Sequence, residues 1–440
     1  MLNKLCALIP LLLIAADYPQ FRGPNGNGVA PDSALPVTFD KSQIAWQAKL
    51  PGSGWAQPII LGNTVYVSAA VSDKLDKPKD MMSGVKDNRS MPGLGSFAKA
   101  PSVDIKWTLY ALDLETGTIK WSKPVSEGKP KYPIHPSNTY ATESPCADAN
   151  GVYAFFGASG TLAGYDHAGK LLWKREFGAF PFSNGFGSGG SPILNDGKIY
   201  ISSFNESKSF IVAVDTKTGD EVWRVSPPKP GSAWASPMLW KNSIRSEIIA
   251  CGDKLVLSLD PKTGAELWRL GGLDTAFAPS PTADGDRLHF GASSPFSSSP
   301  LYGVKAGAKG DISLKKGETS NAFVLWSRNK ANVGMASPVA SEGLLYFATD
   351  GKLTCYDGLT GKEVYSERLP KSRMVASSPM LVGDKLLILE ETGKVHVVKT
   401  GKTFELLGTS EIKDTFWATP AISGERLFLR GIDGVYCIKK

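Results

Sequence analysis

The stretch Leu109–Trp121, LYALDLETGTIKW, recurs along the 440-residue chain, and this recurrence limits the fold more than any other feature. Full copies start at Asp113, Asp215, Asp260 and Asp357, and each reaches an aromatic residue eight positions later, at Trp121, Trp223, Trp268 and Tyr365. A shorter copy runs from Asp166 to Trp173. An Asp carboxylate accepts hydrogen bonds from backbone N–H groups just ahead of it, and Gly takes the positive φ that tight turns require. Each copy therefore reads as strand, turn, strand. The five Asp residues and Trp121, Trp173, Trp223 and Trp268 are read as structural contacts between neighbouring units.

A second marker sets the period. A Pro, usually behind Ser or Ala, heads a short apolar strand at Pro58, Pro145, Pro192, Pro237, Pro281, Pro338, Pro379 and Pro420. Successive prolines are 87, 47, 45, 44, 57, 41 and 41 residues apart. Pro suits the first residue of a strand, where no ladder N–H is needed. One unit is thus four short strands in 41–47 residues, which points to a β-propeller. No window carries a useful 3.6-residue apolar period, so helical repeats are excluded.

The chain ends fit ring closure. The unit starting at Pro420 stops after three strands, and Ile44–Leu50, carrying Trp46, has the character of the missing fourth. The expected fold is all-β: an eight-bladed propeller over residues 42–440, four antiparallel strands per blade, closed by the N-terminal strand. Seven blades is the alternative, because the seventh unit ends in Leu406-Leu407 without an aromatic residue. Insertions at Val71–Lys106 and Lys305–Ala322 read as long surface loops, with Lys305 replacing the turn Asp in the second.

Residues 1–16 have the pattern of an export signal: Lys4, the apolar run Leu5–Ile14 and the small pair Ala15-Ala16. A transmembrane helix needs about 20 apolar residues, more than this run supplies. Residues 17–41 are rich in Pro, Gly and Asn and read as an irregular arm laid over the domain. The expected location is the periplasm or cell envelope, with no transmembrane segment after signal removal and a monomeric chain. Net charge is +7 and no stretch gathers five Lys or Arg, so nucleic acid is not an expected partner. Cys146, Cys251, Cys355 and Cys437 lack CxxC spacing and read as buried thiols.

The A-x-D-x-x-T-G-x-x-x-W hairpin, clearest at Ala111–Trp121 and Ala213–Trp223, resembles the repeat of PQQ-type β-propellers. That group includes quinoprotein alcohol dehydrogenases and the BamB-type outer-membrane assembly lipoprotein. Tyr18–Gly28, YPQFRGPNGNG, is similar to the opening of exported PQQ-repeat propellers of Planctomycetes. The resemblance implies that turn and Trp dock neighbouring blades together. It does not imply the quinone. Catalytic members use Ca²⁺ held by Glu and Asn, an Asp base and commonly two adjacent cysteines, and this chain has no adjacent cysteines.

Two places are candidates for ligand or partner binding. In the segment His135–Glu143, Asn138 and Glu143 are hard oxygen donors of a type Ca²⁺ accepts, beside Tyr140, but their spacing is not specific for a metal. Trp55, Trp234 and Trp417 each stand three residues before a unit's leading Pro, which places all three at one mouth of the central channel. No GxSxG and no metal-type His spacing occur. The residues favour a non-catalytic module that binds a protein partner or small ligand at the channel mouth, with no catalytic residue, metal or cofactor. The alternatives are a PQQ- and Ca²⁺-dependent dehydrogenase of alcohols or sugars, and a carbohydrate-binding propeller.

Overall fold

The computed structural model describes residues 17–30, 33–80, 99–292, 300–331 and 333–440, with two short strands at Ser90–Met91 and Gly95–Ser96. The proposed signal segment, residues 1–16, lies outside them. So does much of the first insertion, at 81–89, 92–94 and 97–98.

Eight antiparallel sheets follow one another in chain order, and each is a blade. In blade 1 the strands are Ile59–Leu61, Thr64–Val71, Ile105–Asp113 and Ile119–Gly128. Blade 8 takes Ala421–Ser423, Arg426–Gly431 and Gly434–Lys439 from the C-terminus and Ile44–Ala48 from the N-terminus, with Trp46 opposite Cys437. The ring is closed as the sequence predicts. The seven-blade alternative fails because Met380–Val382 to Glu405–Glu411 forms a complete four-stranded blade 7 without a Trp. Val71 pairs with Lys106, so the first insertion loses its ends to the flanking strands.

The core is a series of wedges between neighbouring blades rather than one interior. The repeated hairpin fills these wedges. Each Asp carboxylate caps its own turn; Asp215 Oδ1 accepts from the N–H of Lys217 and of Thr218 at 2.8 and 3.0 Å. The Trp of the preceding blade donates its indole N–H to a turn carbonyl: Trp46 to Leu114, Trp121 to His167, Trp173 to Thr216, Trp223 to Pro261 and Trp326 to Gly358, at 2.8–3.1 Å.

The turn glycine lies under that ring. Gly219 has φ +73°, and a Cβ there would come within 2.6 Å of the Trp173 ring. Gly219→Ala therefore meets both left-handed strain and a collision, with an expected loss of about 2 kcal/mol. Gly383→Ala is the comparison, since Gly383 has φ +58° with nothing within 4 Å. Equal losses in urea midpoint for the two variants would remove the ring contact from the account.

One junction departs. Trp268 does not dock on a turn of blade 5, because Lys305 and the insertion have replaced that turn. Its indole donates instead to Glu247 Oε2 of its own blade at 2.7 Å. The second insertion is not simply a surface loop: Gly310–Asp311 pairs in parallel with the outer strand Glu266–Leu270.

The Ser before each leading Pro also has a structural reason. The residue-57 N–H donates to Ser144 Oγ, Ser144 to Ser191, Ser191 to Ser236, Ser236 to Ser280, Ser280 to Ser337, Ser337 to Ser378 and Ser378 to Thr419. These bonds of 2.8–3.1 Å form a girdle around the channel. Blade 1 places Gln57 at this position. Its amide bonds instead to the Pro420 carbonyl and accepts the Arg22 N–H.

Arg22 belongs to the N-terminal arm, which crosses the channel at the face bearing the Asp–Gly turns. Tyr18 pairs with Ile60 of blade 1 in both directions, and the Pro19 carbonyl accepts from Ala147 of blade 2. Gln20 Oε1 accepts from Leu194 of blade 3 at 2.6 Å. The Arg22 guanidinium donates to the carbonyls of Pro281 in blade 5 and Pro338 in blade 6. Gly28 and Ala30 pair with Leu381 of blade 7, and Ala34 bonds to Gly424 of blade 8. The arm is thus a seal over one end of the channel, built into the ring rather than merely laid on it.

Candidate functional site

The opposite mouth is formed by the connections that lead into the innermost strands, where the units stop being alike. Trp55 and Trp417 meet there across the blade 8–blade 1 junction. Their rings stack at 6.0 Å between centroids and 19° between planes. Trp55 is nearly enclosed, and Trp417 is half-buried. Trp55 Nε1 donates to the Ser137 carbonyl at 2.8 Å, and Trp417 Nε1 to Glu391 Oε1 at 2.6 Å.

Trp234 stands further round the ring, at the entry to blade 4. Its Nε1 donates to the Gly187 carbonyl at 2.8 Å. Its ring meets Phe186 edge-on at 5.8 Å and lies 6.5 Å from Phe182.

The segment from His135 to Glu143 joins the two aromatic groups. His135 Nδ1 and Ser137 Oγ are 2.6 Å apart, and the imidazole stacks on Phe186 at 5.3 Å. Burial pushes the His135 pKa down, so the ring is neutral at neutral pH. Asn138 Nδ2 donates to the Phe186 carbonyl at 2.6 Å. Trp417, Trp55, His135, Phe186, Trp234 and Phe182 therefore form one aromatic line over the entries to blades 8, 1, 2, 3 and 4.

The first insertion reaches this line. Lys79 N donates to the Pro136 carbonyl at 3.0 Å, and the paired strands Ser90–Met91 and Gly95–Ser96 lie against Ser183–Gly185.

Asn138 and Glu143 are each held by bonds within the protein. The Asn138 Oδ1 accepts from the Thr139 N–H and the Thr142 hydroxyl, so that oxygen is spent on its own loop. Tyr140 is an anchor: its hydroxyl donates to the Tyr132 carbonyl, and its own carbonyl accepts from Trp107 Nε1. Glu143 is buried beneath Gly157 and Ser188, accepts the Gly157 N–H at 3.2 Å, and is held above the ordinary carboxylate range by burial. Among the described residues no group of three or more His, Cys, Asp or Glu could hold a metal ion. Trp55 and Trp417 cover one another's faces at this mouth.

The mouth offers the half-buried rings of Trp417, Trp234, Phe186 and Phe182, and all three indole N–H groups are already bonded. It is suited to binding flat or apolar groups by stacking and desolvation. Phe182, Phe186 and Glu391 were not legible as site residues. The only signal was the aromatic density of Ala179–Phe186, AFPFSNGF.

A family model described as outer membrane protein assembly factor BamB matches residues 32–250 and 252–438. A BamB of Legionella pneumophila (strain Paris) is 27% identical over 116 residues, which is 26% of this chain and 29% of that protein. The match thus spans less than a third of that relative. Among solved structures, BamB from Moraxella catarrhalis has a TM-score of 0.53 at 16% identity, covering 84% of this chain and 95% of that one. Quinohemoprotein alcohol dehydrogenase ADHIIG from Pseudomonas putida HK5 has a TM-score of 0.60 at 13% identity, covering 95% and 76%. The computationally designed Ika8 protein has a TM-score of 0.58 at 12% identity, covering 90% and 100%. At these identities the structures share the propeller architecture alone.

Proposed function

The chain belongs to the PQQ-repeat β-propeller family described as outer membrane protein assembly factor BamB, and from that premise we propose that it is an exported binding module of the cell envelope. It acts as a monomer, and its contact surface is the aromatic mouth. The observation that carries this reading is the continuous line from Trp417 through Trp55, His135 and Phe186 to Trp234. It lies on non-repeating connections, while the repeated residues are spent on holding blades together. Large rings on a rigid ring of strands are what an interface hot spot is made of. The family's description as an outer-membrane protein assembly factor makes a protein partner the preferred ligand. Among the described residues no helix is long and apolar enough to cross a membrane.

Truncating a central aromatic anchor typically costs at least about 2 kcal/mol of binding, or more than about tenfold in affinity. A photo-crosslinker in the Lys371–Met374 segment, beside Glu391 and Trp417, is expected to capture an envelope protein in the native host. Trp55→Ala with Trp417→Ala is expected to reduce that capture by about that factor while leaving the circular dichroism spectrum intact. Undiminished capture by the folded double variant places the contact face elsewhere.

A further inference from the structure

The arm does not seal the channel evenly. Its loop Pro24–Asn27 touches blade 5, where the Thr282 hydroxyl donates to the Asn27 carbonyl at 3.2 Å, and leaves between itself and blades 4 and 5 a cleft lined by Gln20, Asn25, Asn27, Leu239, Lys241 and Ala283, among others. This cleft lies on the face opposite the aromatic mouth.

The repeat register shows what the cleft exposes. In blade 1, Ile60 is the second residue after the leading Pro and sits opposite Val65. In an antiparallel pair, residues that do not bond across the pair turn N–H and C=O the other way. Ile60 accordingly bonds to Tyr18 of the arm, donating at 2.8 Å and accepting at 2.9 Å. Leu381 of blade 7 does the same with Gly28 and Ala30. The N–H of Ala147 in blade 2 meets the Pro19 carbonyl, and that of Leu194 in blade 3 meets Gln20 Oε1.

Leu239 and Ala283 hold the same position in blades 4 and 5, with the same register against Ile248 and Leu288. No bond from the arm reaches either among the described residues. Of the eight equivalent residues only Leu194, Leu239 and Ala283 are half-exposed, and all three line this cleft. Ala340 and Ile422, in blades 6 and 8, also receive no bond from the arm among the described residues but are buried, so the inner edge that recognises extended backbone is left open at Leu239 and Ala283.

We propose that this cleft binds a short extended peptide through its main chain, the peptide taking at Leu239 and Ala283 the place the arm takes at Ile60 and Leu381. An edge that offers N–H and C=O together matches an amide, which is donor and acceptor at once. No Asp or Glu lines the cleft, Lys241 stands at its rim, and the Arg22 guanidinium lies beneath at the Pro281 carbonyl. This charge distribution favours a peptide that ends in a free carboxylate.

Calorimetric titration of the full chain with N-acetyl-Gly-Leu, as the free acid and as its N-methylamide, tests the site. Saturable one-to-one binding of both is expected, with the acid tighter. Lys241→Gln is expected to abolish the difference between acid and amide. Asn25 is exposed and lines the cleft, so Asn25→Trp fills the space without disturbing the ring; it is expected to weaken both ligands by about tenfold or more. Leu239→Pro removes one N–H and is expected to have a similar effect, and Asn25→Trp decides the matter if Leu239→Pro does not fold. The proposal is overturned if neither compound saturates, if Asn25→Trp binds like the wild type, or if acetate binds as tightly as the peptide acid while the methylamide does not bind.

Discussion

Arg22→Ala is expected to lower the unfolding free energy by about 3 kcal/mol and to free the N-terminal arm. The guanidinium is fully buried and donates to the carbonyls of Pro281, Asn27 and Pro338. Among the described residues no carboxylate pairs with it, and burial pulls its pKa down to about 10. Two effects oppose one another. Removing a buried cation without a counter-charge relieves a desolvation cost. Against that, the carbonyls of Pro281 and Pro338 lose the guanidinium, the Asn27 carbonyl keeps only the Thr282 hydroxyl, a large void opens, and the arm's hold on blades 5 and 6 is weakened.

The second effect wins, because each carbonyl left unpaired in a dry interior costs about 1–3 kcal/mol. Arg22→Met restores volume but no donor, so it is expected to recover only about 1 kcal/mol. Urea midpoints for the two variants measure this, together with the rate of proteolysis between residues 17 and 38. If Arg22→Met is as stable as the wild type with its arm equally protected, the carbonyl contacts are not what secures the seal.

Acidification is expected to destabilise the ring through His289. This imidazole is buried at the blade 5–blade 6 junction, stacked on Trp326 at 5.7 Å and 24°. Burial, reinforced by the Arg287 charge, lowers its pKa to about 4, with Asp284 acting in the opposite direction. The folded chain therefore binds this proton more weakly than the unfolded chain does. The stability of the neutral imidazole is complete above pH 6.5 and is lost as pH falls towards about 4, by about 3 kcal/mol in all. Other groups titrate in the same range, so the difference between wild type and His289→Phe isolates the effect. Phe keeps a flat ring against Trp326 and carries no proton. Parallel stability–pH curves for the two chains would show that His289 is not the source.

The two effects differ in how far they were legible. His289 lies in a strand-like run and carried no sign that it packs on Trp326, which the chain reaches 37 residues later after an insertion. Arg22 lay in a segment recognisable as an arm, but its destination was not. Gln57 was the one visible clue, as the single departure from Ser or Thr before the leading prolines. The candidate site divides in the same way. Trp55, Trp234 and Trp417 could be placed at one mouth because their offset from Pro is constant. Whether they touched was open, and only Trp55 and Trp417 do. Asn138 and Glu143 were legible only as hard oxygen donors without a specific metal spacing; the structure bonds the Asn138 amide to the Phe186 carbonyl and buries Glu143 beneath Gly157.

The amino-acid sequence by itself determined the blade and the closing strand, and left eight or seven as the number of blades. Those rest on local chemistry: an Asp that caps its own turn, a Gly with positive φ beneath a Trp, a Pro at a strand head. Such signals act within a few residues and repeat. Only the tertiary structure decided what the arm seals and which aromatic residues meet. Arg22 finds its carbonyls 259 and 316 residues away, and Trp55 finds Trp417 only because the ring closes there. Contacts of that range follow from the curvature and closure of eight packed blades, a property of the whole ring that no single hairpin contains.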